Sequence, residues 1–530
     1  MRPGMTATTQ FRLFPNLYKD SVSLMQLGAA LRAREGVAEA SCIMATPANL
    51  AQLRDADLTF DATAAPSDLL VVVRGDAAAC TEALAAADSS LRSSATAREG
   101  DAVAFHLPLT SIALGLERAP EADLALISVP GDYAAAEALK ALSQGLDVMV
   151  FSDNVSVADE QAIKTFARDR GLLVMGPDCG TAIVNGVPLG FANVVRRGDI
   201  GLVAASGTGL QEVTCRIHNA GGGVSQALGT GGRDLKEEIG GSTMLQGLAA
   251  LAHDPATRII VLISKPPAPS IAQKILAAAA AAGKPVVVHF LGAAPDAVLG
   301  EGLIAAESLQ HAGDVAVALA SGQAPPAASA PPNPERTAAI ASIAARMAPS
   351  QHAVRGLFTG GTFCYEAQLA FRARGLPCRS NAPAYGVEPL GGTLEGHVFL
   401  DMGDDDYTRG RPHPMIDPSL RNAAVRTHAA DPTTAAIVVD VVLGYGSHAD
   451  PAGDLADALA TAQREARAEQ RTLALIAHVC GTDGDPQDRA GQIRQLEAAG
   501  AIVAGSNHEA AVLAAEMASL LAARNTRSRA

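Results

Sequence analysis

A glycine-rich loop between a predicted strand and a predicted helix is the clearest candidate for chemistry in the sequence. The apolar run GLVAA leads into Ser206, Gly207, Thr208 and Gly209, and a helix is predicted to start near Leu210. Glycines allow a tight turn that points backbone N–H groups outward, and the start of a helix carries a partial positive charge. The loop therefore predicts a site for a phosphate or a carboxylate. A simple turn with serine or threonine as the helix cap would give the same pattern.

The same pattern returns in the second half of the chain, where Gly360, Gly361 and Thr362 follow another apolar run. Gly207 and Thr208 align with Gly361 and Thr362, and a glutamate follows each threonine at the same distance. Insertions at surface turns change the spacing between later matches, as is usual for loops. Those matches keep their order and strand context: Asp254 with Asp431, and His289 with His478. The sequence therefore predicts an internal duplication with two phosphate-binding loops.

Two cationic side chains follow predicted strands and are expected at the same site. Arg233 ends the segment LGTGGR, and Lys265 lies in the segment ISKPP. In open α/β sheets the carboxyl ends of strands face the ligand crevice, where arginine and lysine can neutralise an anion. The alternative for Arg233 is an exposed side chain paired with Asp234 or Glu237, an interaction of little energetic worth.

Other loop residues hold comparable positions after predicted strands and are candidates for contacting a substrate. The loop GPDCGT could equally be an ordinary turn. The acidic run MGDDD could hold Mg²⁺, bind an amide-bearing substrate or lie exposed to solvent. These further candidates are Asp178, Cys179, Gly180, Gly231, Gly232, Asp404, Asp405, Arg411 and His413. His289 and His478, inside apolar runs, are predicted to be buried structural residues.

Composition argues against several classes of protein. A formal charge of −14 over 530 residues, without a cluster of lysine and arginine, disfavours a nucleic-acid surface. The first residues lack a signal-peptide core and no later apolar run is long enough to span a bilayer, so we expect no membrane segment and a cytoplasmic location. Cysteines scattered without a CxxC pair predict free thiols and no metal site.

Hydrophobic periodicity predicts an α/β protein of several domains. Apolar runs of strand length alternate with amphipathic stretches of helical length, as parallel βαβ units require. The first hundred or so residues instead predict a small ferredoxin-like α/β layer. A later stretch rich in Pro, Ala and Ser cannot bury a core and predicts an extended linker. The predicted parts are residues 1–110, 111–197, 198–320, a linker at 321–350, and 351–530.

The order of these motifs resembles a known family. The succession GPDCGT, GDIGLVAASGTGLQE, LGTGGRD and DPATRIIVLIS resembles the α subunit of succinyl-CoA synthetase and related acyl-CoA synthetases. The segments FPNLYKDSVSLM, FSDNV, GGRDL, SKPP and GRPHPMIDP, spread over nearly the whole chain, resemble the FdrA family. The resemblance implies a Rossmann-like, CoA-binding-type domain at 111–197 and two flavodoxin-like domains of the CoA-ligase type at 198–320 and 351–530.

Departures from the synthetase pattern bear on the mechanism that the resemblance implies. Synthetases of this class relay phosphate through a histidine in a short glycine-rich loop, whereas the corresponding stretch HFLGAAPDAVLGEG has no histidine in its loop. Lys265 stands where those enzymes have the glutamate that orients the histidine, and their glycine-rich CoA loop near the N-terminus has no counterpart. What remains is a phosphate loop opposite a cation.

The FdrA resemblance implies one subunit of an oxamate carbamoyltransferase of purine-ureide (allantoin) breakdown, which interconverts oxalurate and phosphate with oxamate and carbamoyl phosphate. The loop from Ser206 to Gly209 would hold the phosphate, with Lys265 and Arg233 as electrostatic partners. We expect phosphate and carbamoyl phosphate as substrates, no certain cofactor, and other subunits and further copies of the chain as partners. The alternatives are an acyl-CoA synthetase, which would use CoA, nucleotide and Mg²⁺, and a non-catalytic scaffold subunit.

Overall fold

The computed structural model describes residues 8–56, 58, 60–96, 109–298, 300–392, 394–409 and 411–527. Within them the chain forms two small sheets and two large ones. The corresponding parts are called the N-terminal domain (8–96), the small parallel domain (109–175), the first lobe (181–320) and the second lobe (334–527). Within the described residues, no helix combines the length and apolar character needed to cross a bilayer.

The N-terminal domain is the small α/β layer that the sequence predicts. Its elements are β1 (Thr8–Phe14), α1 (Ser21–Arg32), β2 (Val37–Met44), α2 (Pro47–Asp55), β3 (Leu69–Gly75) and α3 (Ala77–Thr96). The sheet is antiparallel in the order β1-β3-β2. Helix α1 begins where it does because the Asp20 carboxylate accepts the Ser23 amide at 2.9 Å and caps the helix.

The small parallel domain contains βαβ units. Its elements are α4 (Ile112–Arg118), β4 (Leu124–Ile127), α5 (Gly131–Ser143), β5 (Asp147–Val150), α6 (Val157–Arg168) and β6 (Val174–Met175), with strand order β4-β5-β6. Helix α6 starts at the Ser156 cap, which accepts the Asp159 amide, and buries Ile163 and Ala167. The carboxyl ends of β5 and β6 point toward the first lobe's central loops.

The first lobe is a seven-stranded sheet with helices on both faces. Its elements are β7 (Thr181–Val184), β8 (Val187–Gly190), β9 (Arg197–Ala205), α7 (Gly207–Asn219), β10 (Val224–Gly229), α8 (Ser242–His253), β11 (Ile259–Ser264), α9 (Pro269–Ala280), β12 (Val286–Phe290), β13 (Leu303–Ala305) and α10 (Leu309–Ala320). The order is β13-β12-β11-β9-β10-β7-β8, parallel except for the β7–β8 hairpin. The sequence places that hairpin in the predicted 111–197 domain, whereas in the structure its two strands belong to the sheet of the first lobe.

The second lobe is a seven-stranded parallel sheet. Its elements are α11 (Pro334–Ala345), β14 (Ala353–Phe358), α12 (Gly361–Ala373), β15 (Cys378–Ser380), β16 (Glu388–Pro389), β17 (His397–Asp401), α13 (Asp405–Thr408), α14 (Ser419–Ala430), β18 (Thr434–Val442), α15 (Gly453–Ala468), β19 (Ala474–Cys480), α16 (Arg489–Ala498), β20 (Ile502–Ala504) and α17 (Asn507–Arg527). The strand order is β16-β15-β17-β14-β18-β19-β20.

The two lobes share one topology. Strands β9, β11, β12 and β13 follow one another across the first sheet as β14, β18, β19 and β20 do across the second. Helices α7 and α12 each follow the central strand of their sheet, and β10 and β17 lie on its other side. The strand order therefore confirms the predicted duplication, with β15 and β16 inserted in the second copy.

A single apolar core joins the lobes. Leu210 and Val213 of α7 lie in the same buried cluster as Phe363 and Phe371 of α12. At about 25 cal/mol per Å² of apolar surface removed from water, such a shared core holds the lobes in a fixed arrangement. The starts of α7 and α12 are therefore fixed relative to each other.

Each lobe also caps a helix of the other. The Glu212 carboxylate of α7 accepts the Asn507 amide at the start of α17 (3.2 Å) and a bond from His478 (2.7 Å). In the other direction, the Glu366 carboxylate of α12 accepts the Leu309 amide at the start of α10 (3.0 Å). Because each carboxylate satisfies backbone donors of the opposite lobe, the contact is reciprocal.

Part of the predicted linker is helical. Helix α11 begins at Pro334 because the Asn333 side chain accepts two amides of the first turn and proline suits that position. Ile340 and Ala344 are buried, so α11 packs through apolar side chains. The stretch predicted to be extended, 321–335, therefore gives way to a helix at Pro334, and that helix lies within the linker bounds of 321–350.

Ionic contacts attach the N-terminal domain to the second lobe. The Arg32 guanidinium pairs with the Asp417 carboxylate, and Glu39 lies 3.6 Å from Arg411. On the other side, the Tyr18 hydroxyl donates to the Ser128 carbonyl of the small parallel domain at 2.7 Å. The N-terminal domain thereby bridges two other parts of the chain.

Candidate functional site

A cavity of about 980 Å³ lies where the N-terminal domain, the small parallel domain and the two lobes meet. The candidate residues predicted from sequence come from six separate loops, and the fold brings nearly all of them to this one place. All of them line the cavity except Gly209 and Gly360. The carboxyl-end rule for parallel strands explains the convergence, because most of these residues directly follow a strand.

The first glycine loop opens onto the cavity at the start of α7. The Ser206 hydroxyl caps the helix by accepting the Gly209 amide at 3.0 Å, so that amide is already bonded. The Gly207 and Thr208 amides make no hydrogen bond within the described part of the chain, and both residues line the cavity. Two free backbone donors at a helix start form a ready anion site.

The second glycine loop differs from the first, because two carboxylates of the protein lie against it. The Asp440 carboxylate accepts the Thr359 amide at 2.7 Å and the Gly360 amide at 2.9 Å. A side chain at Gly361 would collide with the Asp401 carboxylate, which lies at the start of α12. The Gly360 amide is therefore not available to a ligand. The Gly361 and Thr362 amides, which correspond to those of Gly207 and Thr208, make no hydrogen bond in the described part of the chain. The two loops differ instead in the Asp401 carboxylate beside α12, which repels an anion.

The two helix starts face each other across the lobe interface. The Ser206 and Thr362 hydroxyl oxygens are 2.6 Å apart, and either can donate to the other. Both helices therefore direct their partial positive charge to the same region. Because the Asp401 carboxylate lies at the start of α12, an added anion is favoured at the start of α7.

Lys265 is the cation best placed to meet a bound anion. It follows β11, is exposed to the cavity, and its ammonium lies 5.7 Å from the Tyr365 ring centroid. Its side chain makes no ion pair or hydrogen bond among the described residues. The Asp401 carboxylate attracts Lys265 but does not hold it in an ion pair, so its charge can also serve a ligand.

Arg233 is held by the protein itself. Its guanidinium pairs with Glu160 at 3.0 Å and donates to the Val155 carbonyl at 2.7 Å. The expected alternative partner Asp234 instead accepts from the buried Lys164 at 2.7 Å. Pairing with Asp234 or Glu237 is therefore wrong, and Arg233 reaches the cavity as part of a fixed network.

Two carboxyl groups of the cavity have raised pKa values. Burial raises the pKa of Asp178 to about 6, with Asp153 adding to the rise and Arg233 opposing it. Burial also raises the pKa of Asp401 to about 6, against the attraction of Lys265. Carboxyl groups with such values can hold or release a proton near neutral pH.

Replacing Asp401 with asparagine is expected to change how stability depends on pH. A carboxyl whose folded pKa is raised stabilises the fold fully below its ordinary pKa of 3.8, and that contribution is lost as pH rises through about 6. Asparagine keeps the acceptor for the Gly403 amide but cannot ionise. Between pH 5 and pH 8 the variant should gain about 1.4 kcal/mol relative to wild type in urea unfolding. An identical pH profile for both proteins would contradict the assigned pKa.

Cys179 lines the cavity as a buried thiol. Its sulfur lies 3.5 Å from the carbonyl oxygens of both Thr181 and Gly229. Burial raises the pKa of this thiol to about 12, so it remains protonated and is a poor nucleophile. Its role at the cavity is therefore one of packing, beside Gly180.

Gly231 permits close contact between two loops of the cavity. It has a positive φ of 82°, and a side chain there would collide with the Pro177 carbonyl. Gly240, with a φ of 80° and open space around it, is a matched control. Alanine at 240 should cost about 1–2 kcal/mol from backbone strain alone. Alanine at 231 should cost at least about 1 kcal/mol more in urea unfolding, and equal losses would show that the contact is not tight.

The acidic segment after β17 lines another wall of the cavity with mixed charge. Asp404 caps α13 by accepting the Asp406 amide at 3.1 Å, and Asp405 lies exposed beside it. The Arg411 guanidinium forms an ion pair with the Glu39 carboxylate of the N-terminal domain at 3.6 Å. His413 accepts the Met415 amide at its Nδ1 atom (3.2 Å).

Several cavity residues were not among the sequence candidates. The N-terminal domain contributes Lys19, Ser41 and Asn49, the small parallel domain contributes Asp153, and the second lobe adds Arg409. The motif FSDNV contains Asp153 and could have indicated it. Lys19 likewise lies in the motif FPNLYKDSVSLM, but the motif did not indicate the cavity, because only the packing of the N-terminal domain brings these residues there.

Comparisons with known domains place three families along the chain. A family described as CoA-ligase matches residues 357–517, one described as CoA binding domain matches 195–292, and one described as AllF, heavy metal-associated domain matches 5–105. The CoA-binding match falls on the segment for which the sequence predicts the first ligase-type domain. The domain boundaries remain predictions.

The heavy-metal description does not fit the N-terminal residues that the structure describes. Cys42 and Cys80 are buried, burial raises the pKa of both thiols, and the Cys80 sulfur faces the Thr8 carbonyl at 3.7 Å. No group of three or more potential metal ligands occurs in the described ranges of the chain.

Whole-chain similarity identifies the family. The chain is 44% identical over 507 residues to the uncharacterized protein YahF of Escherichia coli (strain K12), covering 95% of this chain and 97% of that protein. Two parallel CoA-ligase-type sheets joined to a small antiparallel domain define a succinyl-CoA synthetase α-like protein. Within that class, the chain belongs to the FdrA family.

More distant relatives match only part of the chain. The subunit alpha-2 of a mitochondrial succinate–CoA ligase [ADP-forming] from Trichomonas vaginalis is 31% identical over 150 residues, and the match spans 27% of this chain and 47% of that protein. Among solved structures, ATP citrate lyase from Methanothrix soehngenii is 14% identical, with coverage of 79% and 85% and a TM-score of 0.34. Acetyl-coenzyme A synthetase 1 of Ca. Korarchaeum cryptofilum is 16% identical, with coverage of 77% and 85% and a TM-score of 0.32.

Proposed function

We propose that the protein is a carbamoyltransferase subunit that interconverts oxalurate and phosphate with oxamate and carbamoyl phosphate. The observation that carries the proposal is the open start of α7, where the Gly207 and Thr208 amides face a cavity beside the unpaired Lys265. A phosphate bound there would be held by backbone donors and one cation. The match to the AllF family at the N-terminus agrees with a role in allantoin breakdown.

The residues of the cavity can support the proposed bond changes. In the phosphorolytic direction a phosphate oxygen attacks the carbamoyl carbon of oxalurate, and the bond from that carbon to the oxamate nitrogen breaks. The departing nitrogen takes a proton, which Asp178 and Asp401 are able to supply because their pKa values are raised to about 6. The α7 amides and Lys265 hold the phosphate in position for attack.

The missing phosphate carrier separates this proposal from the synthetase reaction. His289, the histidine nearest the corresponding loop, is buried and does not line the cavity. Its Nδ1 donates to the Ala306 carbonyl at 2.8 Å. Burial lowers its pKa to about 4. A direct transfer between carbamoyl carbon and phosphate needs no such carrier.

Carbamoyl phosphate formation is the test of the proposal. We expect the purified assembled enzyme, given oxalurate and inorganic phosphate, to convert phosphate into carbamoyl phosphate, followed by ³¹P NMR. Other subunits and further copies of this chain are part of the proposed cytoplasmic enzyme, so the assembled complex is the material of choice. Folded complex that leaves the phosphate signal unchanged would refute the proposed activity.

An acyl-CoA synthetase is the second candidate, favoured by the CoA-ligase match over 357–517 and by the similarity to succinate–CoA ligase. That reaction would require CoA, nucleotide and Mg²⁺, and a phosphorylated protein intermediate. Radiolabelled nucleotide should then leave acid-labile phosphate on the chain. Its absence, together with carbamoyl phosphate formation, would decide for the carbamoyltransferase.

A further inference from the structure

The ring of His413 has a fixed tautomer. Its Nδ1 atom accepts the Met415 amide at 3.2 Å, which places the ring proton on Nε2. Burial lowers the pKa of His413 to about 4, so the ring is neutral near pH 7. A neutral ring protonated at Nε2 donates a hydrogen bond there and has no lone pair available for attack.

The donor nitrogen of His413 lies at the cavity wall. His413 lines the cavity, and a side chain at Gly403 would come within 2.6 Å of Nε2. Nε2 has no hydrogen-bond partner among the residues that the structure describes. Glycine at 403 therefore leaves room for a donor that the protein itself does not use.

Arg409 lies on the same chain segment as His413 and also lines the cavity. It is exposed, and its guanidinium makes no ion pair or hydrogen bond in the described ranges. Arg233 and Arg411, which also line the cavity, are paired with Glu160 and Glu39. Guanidinium groups bind carboxylates through paired hydrogen bonds, so an unpaired arginine beside a neutral donor suits an anionic oxygen pair.

Carboxylates of the same segment restrict which anion can bind. Asp401 and Asp404 line this wall, and each has one oxygen occupied by a backbone amide. Their remaining oxygens are acceptors, which attract an N–H group and repel a second negative charge. The wall therefore suits a molecule with a carboxylate and an adjacent amide better than a dicarboxylate.

We propose that His413 and Arg409 form a second anion subsite, which binds the carboxylate of a small amide-bearing acid while the α7 loop binds phosphate. The subsite rests on the proposed function, in which the carbamoyl acceptor is such an acid. The two anions then have different binding groups. Lys265 and the α7 amides bind phosphate, whereas His413 and Arg409 bind the carboxylate of the acid.

Two variants separate binding from folding. His413→Asn keeps an acceptor near the position of Nδ1, and so the bond from the Met415 amide, while it removes the donor at Nε2. Arg409→Gln removes the charge and keeps the length of the side chain. Arg426→Gln, an exposed arginine of α14 that does not line the cavity, is the control.

Calorimetric titration of the full chain with oxamate and, separately, with inorganic phosphate tests the subsite. We expect His413→Asn and Arg409→Gln each to weaken oxamate binding about 10-fold or more, to leave phosphate binding within about 2-fold, and to keep the wild-type Tm. Oxalate, which lacks the amide, should bind wild type more weakly than oxamate. Unchanged oxamate affinity in either variant, equal loss of both ligands, or a wild-type chain that does not bind oxamate would overturn the subsite.

The tautomer can be checked without any ligand or activity. In ¹⁵N NMR of the labelled chain at pH 7, His413 should show a neutral ring with its proton on Nε2. A charged ring, or a proton on Nδ1, would overturn the subsite. Failure of carbamoyl phosphate formation alone would instead count against the proposed function, because oxamate and phosphate binding are measured separately from turnover.

Discussion

Replacing Lys265 with alanine is expected to lower kcat/KM for phosphate in carbamoyl phosphate formation by about 100-fold or more. Lys265 is exposed to the cavity and has no carboxylate partner in the described chain, so its charge is available to the bound anion. Its contact with the Tyr365 ring at 5.7 Å contributes little to folding. The loss should therefore appear in the kinetics for phosphate, with nearly unchanged Tm.

Lys274→Ala is the matched control for this prediction. Lys274 is an exposed lysine of α9 in the same lobe and does not line the cavity. Its removal changes the net charge by the same amount and should leave kcat/KM unaltered. If Lys265→Ala and Lys274→Ala both retain full activity in the assembled enzyme, the chain is better described as a scaffold whose cavity takes no part in turnover.

The largest stability effect is expected at the buried pair of Glu212 and His478. Both side chains are 4% exposed, and their oxygen and nitrogen are 2.7 Å apart across the lobe interface. Changing either residue alone to glutamine leaves the other buried without its counter-charge, which costs about 3–5 kcal/mol at pH 6. Urea unfolding of the two single variants and the double variant measures this coupling. The double variant should lose less than the sum of the single losses, and additive losses would contradict a direct pair.

The same pair should make stability depend on pH in a defined direction. Burial alone would lower the pKa of His478, but the Glu212 carboxylate overrides it and raises the pKa to about 10. Burial would raise the pKa of Glu212, but His478 holds it below its ordinary value of 4.5. The contribution of the pair is therefore greatest between about 4.5 and 6.5, and is lost as pH rises toward 10 or falls below 4.5. The difference between wild type and Glu212→Gln should shrink accordingly between pH 6.5 and pH 10.

Local patterns in the sequence predicted much of the fold because they act over short distances. The Ser206 cap and its glycines start α7 as expected, since capping needs only neighbouring residues. The alternation of apolar runs with helical stretches gave the parallel lobes, and matched positions such as Gly207 and Gly361 revealed their duplication. Strand ends collect at one edge of a sheet, so most candidate residues reached the same cavity.

What the sequence did not reveal depends on contacts between distant residues. Asp440 occupies the Gly360 amide from a separate strand, 80 residues along the chain, so the repeated glycine motif could not show that carboxylates lie at its second copy. The partner of Arg233 is Glu160 of another domain rather than a neighbour in sequence. The approach of the N-terminal domain to the cavity depends on pairs such as Arg32 with Asp417. None of these pairings follows from periodicity or spacing.

The location of bound phosphate tests the central claim most directly, because an anion is expected at the start of α7 and not at the start of α12, where the Asp401 carboxylate lies. A crystal structure of the full chain soaked with phosphate should show the ion about 2.7–3.2 Å from the Gly207 and Thr208 amides, with the Lys265 ammonium turned toward it. Phosphate bound at the start of α12, or elsewhere in the cavity with both α7 amides unoccupied, would contradict the account.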